Sequence, residues 1–584
     1  MKNIASSALI PDEAKDDILH FAEKGQKRFL DFIQDRLLPT SQISVWDPLQ
    51  KSKLKNFSNW MQKTKVHIGD KVIKLREERQ LLGRFLIIQG SRPELVPRLE
   101  ETISEFEMSV VPRSICAVDG SLYIPGDKAS LMHVIEEAKG ESLDSISPVL
   151  TGHPFRVLVI DAMAVLHSMK KTPMMIKIAD FQAAFIKRIE SLAYNYNQVH
   201  VIFDNYLDQS LKNKTRQKRA VSSKEYVIHS EMKLIMPLKD ILSSTKSKRS
   251  LTEMFAEALF EKLSNSWNLV VIYSNKIKSR GFEEEHKHEE ADTLIPHQVL
   301  ASIDESIWQE ISVWSPDTNV FTLLHLVSSG GLGSHPQTGL KFLTGKGVKF
   351  REIDVVERAK VIGHLKCQGL IGLHNFSGTD WGGKFLGITK KKWIHAYLQL
   401  SDDDAVINCF RELGDRCLPM ELVGAELPNE VKPLEHFVCQ VYSPTGSKTL
   451  PALRWEMFRS RNLEGEMLPP TRAVLLPHIA RANYTAMRDK SYRTRCPVLP
   501  PINENGWRLA KGEYVPVRCL TLPAPRAVLE LTKCACKSGC RGRCSCSKNG
   551  LPCTPLCKCF GADCTNTNKN DEQNFDIDDE DNDA

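Results

Sequence analysis

The chain has 584 residues, 42% hydrophobic and 26% charged, which is ordinary globular composition with apolar material for several cores. Its 78 Lys and Arg against 72 Asp and Glu give a net charge of +6, but residues 571–584 hold eight acids and no base, so the rest of the chain stands at +14 and suits a polyanionic partner. No apolar run approaches the roughly 18 residues of a membrane span, and the N-terminus is a poor secretory signal; the cysteines are therefore expected in a reducing compartment, as metal ligands or buried thiols.

Residues 1–150 read as an accessory α+β region. An amphipathic helix is expected over 12–38, and Gly69-Asp70 marks a hairpin beside a charged helix over 74–84. Asp119, in Ile115-Cys-Ala-Val-Asp-Gly120, imitates a strand followed by an acid, but a tight Asp-Gly turn explains it better.

From residue 155 strands and helices alternate. Strands are expected over 155–160, 199–203, 269–274, 311–314 and 348–353, with helices over 176–194, 251–263, 291–303 and 318–327. This alternation predicts an α/β fold, a parallel sheet covered by helices, whose ligands bind at the carboxyl ends of the strands. Asp161, Asp204 and Asp317 follow three of those strands. One acid at such a place is an ordinary helix N-cap, but three at equivalent places point to a site. His288-Glu-Glu-Ala-Asp-Thr293 adds Glu289, Glu290 and Asp292 at a helix start, and Gly378-Thr-Asp380 adds another acid before Lys390-Lys-Lys392. Converging carboxylates repel unless cations lie between them, and a pair of Mg²⁺ or Mn²⁺ ions suits hard oxygen ligands and a phosphodiester substrate.

Between residues 212 and 224, Lys212, Lys214, Arg216, Lys218, Arg219 and Lys224 stand without an acid, either as a funnel for nucleic acid or as a solvated or nuclear-import loop. Residues 431–530 are a Pro-rich extension and linker with one helix over 471–487, introduced by Pro469-Pro470-Thr471.

Nine of the 16 cysteines fall between Cys534 and Cys564, at Cys534, Cys536, Cys540, Cys544, Cys546, Cys553, Cys557, Cys559 and Cys564, in two related halves each built on a C-x-C pair. The segment has too few large apolar residues for a core of its own, so a metal must hold it. Zinc takes four tetrahedral thiolates. Nine cysteines fill the twelve positions of three Zn²⁺ when six are terminal and three bridge. Residues 533–570 carry seven bases against one acid, Asp563, and a cluster of nine thiolates and three Zn²⁺ leaves the module near +3. The acidic tail, residues 567–584, has almost nothing to bury and is expected to be disordered.

This cysteine pattern, with Cys546-Ser-Lys-Asn-Gly-Leu-Pro-Cys553, resembles the tesmin-type CXC domain over residues 531–566. That resemblance implies DNA contact, with Arg541, Arg543 and Lys548 as the candidate contact residues. The acidic motifs, in order, resemble the PIN-like, flap-endonuclease superfamily, which implies a nuclease core over 151–430. By that resemblance Asp161 and Asp204 hold a first metal, Glu290 and Asp292 are the paired acids (Glu289 if the register slips), Asp317 opens the next motif and Asp380 closes the set. Asn319 stands where the pattern has a further Asp. The basic run at 212–219 matches an arch that steers single strands, and residues 378–393 match a helix-turn-helix that grips duplex phosphates.

The chain as a whole resembles uncharacterised animal proteins that join such a domain to a C-terminal CXC module. Ser315-Pro-Asp-Thr-Asn-Val320, Phe376-Ser-Gly-Thr-Asp380, Leu468-Pro-Pro-Thr471 and Pro525-Arg-Ala-Val-Leu-Glu-Leu531 carry that likeness beside the His288 motif. The reading is a nuclear, metal-dependent nuclease acting on DNA or RNA, tethered by a zinc cluster. The alternative is a DNA-binding or chromatin protein whose decayed nuclease core serves as scaffold.

Overall fold

The computed structural model describes residues 12–38, 43–44, 47, 64–68, 71–75, 79–126, 129–138, 153–205, 226–242, 244–304, 306–330, 332, 337–461, 468–510, 512–531, 533–536, 544–554, 556–559 and 564–566. The chain divides into two compact units. The first comprises Met1–Ser121, Arg454–Thr471 and Thr521–Ala584, and the second Leu122–Leu453 and Arg472–Leu520.

In the first unit the helical pattern over 12–38 forms two helices, Asp12–Leu19 and Phe21–Arg36. The expected hairpin is present as β1 (Thr64–Ile68) and β2 (Lys71–Leu75), paired antiparallel around residues 69–70. Lys74 and Leu75 belong to that strand, and the following helix runs later than expected, over Arg79–Ser91. The short period-two stretch Lys-Val-Ile-Lys-Leu pairs with β1, and pairing wins over the charge pattern that suggested a helix.

A buried ion pair organises the rest of this unit. Arg454 donates from Nε to the Ile103 carbonyl (2.9 Å) and from Nη2 to that of Phe106 (3.0 Å), at the end of helix Leu99–Glu105. Glu107 lies 3.7 Å from the same guanidinium and accepts from the Thr471 amide at 2.7 Å. The carbonyls that the helix end leaves open are thus met by a cation, and the charge is itself paired.

The second unit is built on an eight-stranded sheet: β3 (Phe155–Asp161), β4 (Gln198–Ile202), β5 (Asn268–Tyr273), β6 (Lys276–Ser279), β7 (Phe282–Glu285), β8 (Gln309–Trp314), β9 (Thr338–Thr344) and β10 (Arg351–Asp354). Their order is β10-β9-β8-β3-β4-β5-β6-β7. The five strands from β9 to β5 are parallel, and β10, β6 and β7 pair antiparallel at the edges. The fold is therefore the expected α/β class, a mostly parallel sheet with helical additions. The Val-Leu-Val-Ile run of β3 is buried throughout, as a strand covered on both faces must be. The chain leaves β3 towards β4 on one side and returns through β8 on the other, so the order reverses beside β3.

On one face helices Ile178–Ala193 and Thr245–Leu263 cover Leu158, Ile160, Val199 and Val201. Phe181, Phe185 and Phe255 lock there, with ring centroids 5.2 and 5.6 Å apart. On the other face helix Ala291–Ala301 packs on β3 and β4. Beyond it, Phe376 sits among Phe385, Trp393, Phe410 and His478 at centroid distances of 5.3 to 5.5 Å. The helix expected over 471–487 spans Arg472–Lys490, and Lys432–Tyr442 is a further helix with Pro433 in its first turn, where a missing N–H costs nothing. A hairpin, β11 (Trp507–Ala510) and β12 (Glu513–Pro516), closes the unit.

His200 is buried between β4 and that face, its Nδ1 2.9 Å from Gln298 Oε1. Burial lowers it to about 4, against the pull of that hydrogen bond. A lowered histidine contributes stability that is complete above about pH 6.5 and is lost as pH falls through about 4. Replacing His200 by Gln is expected to remove on the order of 3 kcal/mol of that pH dependence. Denaturant unfolding from neutral pH to about pH 4 measures it, and an identical acid slope in H200Q would refute the assignment.

Candidate active site and candidate metal centre

The carboxyl edge of the sheet carries the acids. Asp161 ends β3 and caps helix Ala162–Ser168, its Oδ1 accepting from the Ala164 amide at 2.9 Å. Its other oxygen accepts from Ser315 Oγ (3.2 Å), which stands at the end of the neighbouring β8. The same hydroxyl accepts from the Asp317 amide (3.2 Å), and Asp317 Oδ1 accepts from the Asn319 amide (2.7 Å). Asn319 Nδ2 then donates to Asp292 Oδ2 at 3.3 Å. Asp204, two residues past β4, accepts from the Ala291 amide at 3.0 Å, which places it against the first turn of helix Ala291–Ala301. Glu290 caps that helix by position.

Asp161, Asp204, Glu290, Asp292 and Asp317 thereby line one cleft of about 380 Å³, together with His167, Ser315, Thr344 and Lys346. The N-cap role and the site role of Asp161 coexist: one oxygen serves the helix and the carboxylate still reaches the wall. Glu290 and Asp292 supply the acids at the helix start, so the register without Glu289 is the one that faces the cleft. Asp380 lies half-buried in the turn after helix His364–Ser377 and is not among the cleft residues. Lys212, Lys214, Arg216, Lys218 and Arg219 lie outside the described residues. Lys390, expected in a duplex-gripping turn, is buried instead, donating to the carbonyls of His374 (2.9 Å) and Gly378 (2.7 Å), while Lys391 and Lys392 are exposed.

Three contributors had no strong signal in the sequence. Ser315 links two acids from a strand end. Lys346 reaches the cleft from a turn at Gly345, where φ is +88° and a Cβ would collide with the Lys349 carbonyl. Arg488 is buried on the far helix Arg472–Lys490, 4.0 Å above the Trp381 ring, 2.7 Å from Asp489 and 3.6 Å from Glu290. It is the cation that fixes Glu290.

The residues fit divalent cations with hard-oxygen preference. Five carboxylates share one wall, and the buried Asn319 Oδ1 beside them has no hydrogen-bond partner among the described residues. Burial first, and then the charge of Asp204, pushes Asp161 up to about 7. Without a metal, the Asp161 contribution to stability is complete below about pH 4 and is lost as pH rises through about 7, roughly 4 kcal/mol in all. Mg²⁺ or Mn²⁺ is expected to raise the Tm above about pH 7, and Asp161→Asn to flatten the metal-free pH slope and reduce that rise. An unchanged metal-induced shift in D161N would refute the assignment.

The cysteine segment lies in the first unit. Cys534, Cys546, Cys553 and Cys557 form one group with sulfurs within 4.8 Å of one another; Cys534, Cys536 and Cys544 form a second, and Cys553, Cys559 and Cys564 a third. Among the described residues only cysteines make such groups, so the acid wall is more open than a single closed ion shell. Cys540 lies outside the described residues, as do Arg541 and Arg543, while Lys548 is exposed in the short helix Ser545–Lys548.

The sulfurs of Cys534 and Cys553 are 3.8 Å apart and those of Cys546 and Cys557 3.6 Å. These distances are too long for disulfides and match the edge of a tetrahedron with Zn–S bonds of about 2.3 Å, roughly 3.8 Å. Amides of Cys534 and Thr554 donate to Cys557 Sγ at 3.4 Å, an arrangement that favours thiolates. The cluster fits Zn²⁺. Cys553 belongs to two groups and Cys536 to one, so Cys553→Ser is expected to lose more metal than Cys536→Ser. Zinc per chain by native mass spectrometry checks this, and equal losses would argue against bridging by Cys553.

Neither a protein-family model nor a curated protein matches the chain. Among solved structures, the bacteriophage T5 D15 protein co-crystallised with metal ions aligns with 58% of this chain and 97% of its own, at 12% identity and a TM-score of 0.27. The T5 D15 flap endonuclease in a pseudo-enzyme–product complex with DNA and metal ions aligns over 57% and 96%, at 14% identity and 0.25. The catalytic core of Rad2 in complex with DNA substrate aligns over 54% and 90%, at 14% identity and 0.26. With TM-scores this low, the chemistry of the cleft rests on its own residues.

Proposed function

We propose that this protein is a divalent-metal-dependent nuclease acting on DNA, with RNA as a further substrate class, and that the cysteine cluster attaches it to DNA. The observation that carries this reading is the convergence of Asp161, Asp204, Glu290, Asp292 and Asp317 on one cleft at the carboxyl edge of the parallel sheet. In this reading those carboxylates hold Mg²⁺ or Mn²⁺, which when bound supply charge neutralisation at a scissile phosphate and activation of water. Asp161 and Asp317 are held together through Ser315, and Arg488 holds Glu290. Lys346 offers its ammonium to a phosphate entering the cleft. A basic chain and a CXC-like module then favour a nuclear DNA partner, with residues 151–430 as the nuclease body and 531–566 as the tether.

Asn319 favours a second reading, a DNA-binding protein whose core no longer cuts. Its amide holds Asp292 where a carboxylate would add charge. Cleavage assays on flap, single-stranded and structured DNA and RNA, with Mg²⁺ or Mn²⁺, separate the two. Metal-dependent cutting is expected, reduced at least about 100-fold by Asp161→Ala with Asp292→Ala. DNA binding without cutting in the parent chain would establish the second reading.

A further inference from the structure

The cysteine groups are not the whole of the candidate zinc centre. Arg92, just past helix Arg79–Ser91, is 2% exposed although its side chain is one of the largest and most polar in the chain. Its Nε donates to the Pro552 carbonyl at 3.0 Å, Nη2 reaches the same oxygen, and Nη2 lies 3.6 Å from Cys546 Sγ. Cys546 belongs to the four-cysteine group with Cys534, Cys553 and Cys557. A few residues earlier on the same helix, Arg84 Nη1 donates to the carbonyls of Val528 and Leu529 at 3.3 and 3.5 Å. Two arginines, one within an N-terminal helix and one just past its end, therefore meet the C-terminal segment in different ways: Arg84 donates to backbone carbonyls before the cysteines, and Arg92 reaches a sulfur within them.

Four thiolates around one dication leave a surplus of negative charge in a small volume, and a buried guanidinium is a permanent cation that cannot shed its proton. Each group lowers the cost of burying the other. We propose that Arg92 is an outer-sphere partner of the zinc centre, donating to the Cys546 thiolate and offsetting part of the charge of the cluster. The metal centre is completed from a residue more than 400 positions away in the sequence. Zinc loading and burial of helix Arg79–Ser91 are consequently linked, and by reciprocity the helix strengthens zinc as much as zinc strengthens the helix. Lysine would keep the charge but lose the planar fork that spans the Pro552 carbonyl and the sulfur together.

Zinc release from the full chain into a chromophoric chelator tests this. Arg92→Ala is expected to release zinc about 10- to 100-fold faster than the parent chain, the range for loss of an outer-sphere partner, with Arg92→Lys between them. Arg84→Ala, which removes backbone docking and leaves the sulfur contact, is expected to speed release clearly less than Arg92→Ala, through the linkage alone. Parent-like release from R92A would overturn the proposal. Equal acceleration by R84A and R92A would also overturn it, because docking alone would then explain the effect. Should R92A fail to fold, R92K decides: faster release than the parent, with altered thiolate-to-metal absorption after Co²⁺ substitution, supports the proposal, and parent-like values for both refute it. In the parent chain, zinc removal is expected to raise amide exchange in helix Arg79–Ser91, and unchanged exchange there would break the linkage.

Discussion

The governing constraint is the repulsion among carboxylates that the sheet brings to one edge. Apolar strands must pair in register to bury both faces, and that register sets Ile160 of β3 beside Trp314 of β8, and Asp161 beside Ile202 of β4. The acids that follow those strands have no freedom to separate. Hydrogen bonds hold them at this spacing: Ser315 between Asp161 and Asp317, Asn319 between Asp317 and Asp292, and the Ala291 amide on Asp204. At Asp161 burial first, and then the charge of Asp204, drives the carboxyl well above the ordinary range.

Much of this was legible in the residues. The apolar runs ending in Asp161 and Asp204 are short, continuous and bounded, which is how a strand buried on both faces must be written. Helices at 178–193, 291–301 and 318–330 followed from their periodicity. Other parts had weaker local marks. β9, Thr-Gly-Leu-Lys-Phe-Leu-Thr, alternates, but it follows a Gly- and Ser-rich sequence and carries a glycine, so its pairing with β8 decides it. The strand expected over 348–353 begins with a 3₁₀ turn at Gly347–Lys349 and pairs only from Arg351.

The site was legible where acids follow strands and illegible where a distant helix supplies a partner. Arg488 carries no mark in its own neighbourhood; only the packing of Arg472–Lys490 brings it to Glu290. Asp380 shows the opposite failing. Its Gly-Thr-Asp motif looks like one more acid in the series, but the turn after His364–Ser377 does not direct it into the cleft. Lys390 belongs by sequence to a helix-turn-helix expected to grip duplex phosphates, whereas the helix end before it leaves carbonyls that its ammonium satisfies. At Lys390 a backbone requirement claimed a side chain that charge alone had assigned to a ligand.

The outer strands bear on the behaviour of the protein in concentrated solution. β7 reads Phe282-Glu-Glu-Glu285, with Glu283 paired to Lys276 of β6 at 2.9 Å and Glu284 paired to Arg495. A foreign strand approaching this rim would have to bring its own backbone alongside these charged side chains and strip their water. The opposite rim, Arg351-Glu-Ile-Asp354, carries three charged residues around a single apolar one. The sheet thus stops growing by electrostatic refusal, and propagation into fibrils is discouraged at both of its margins.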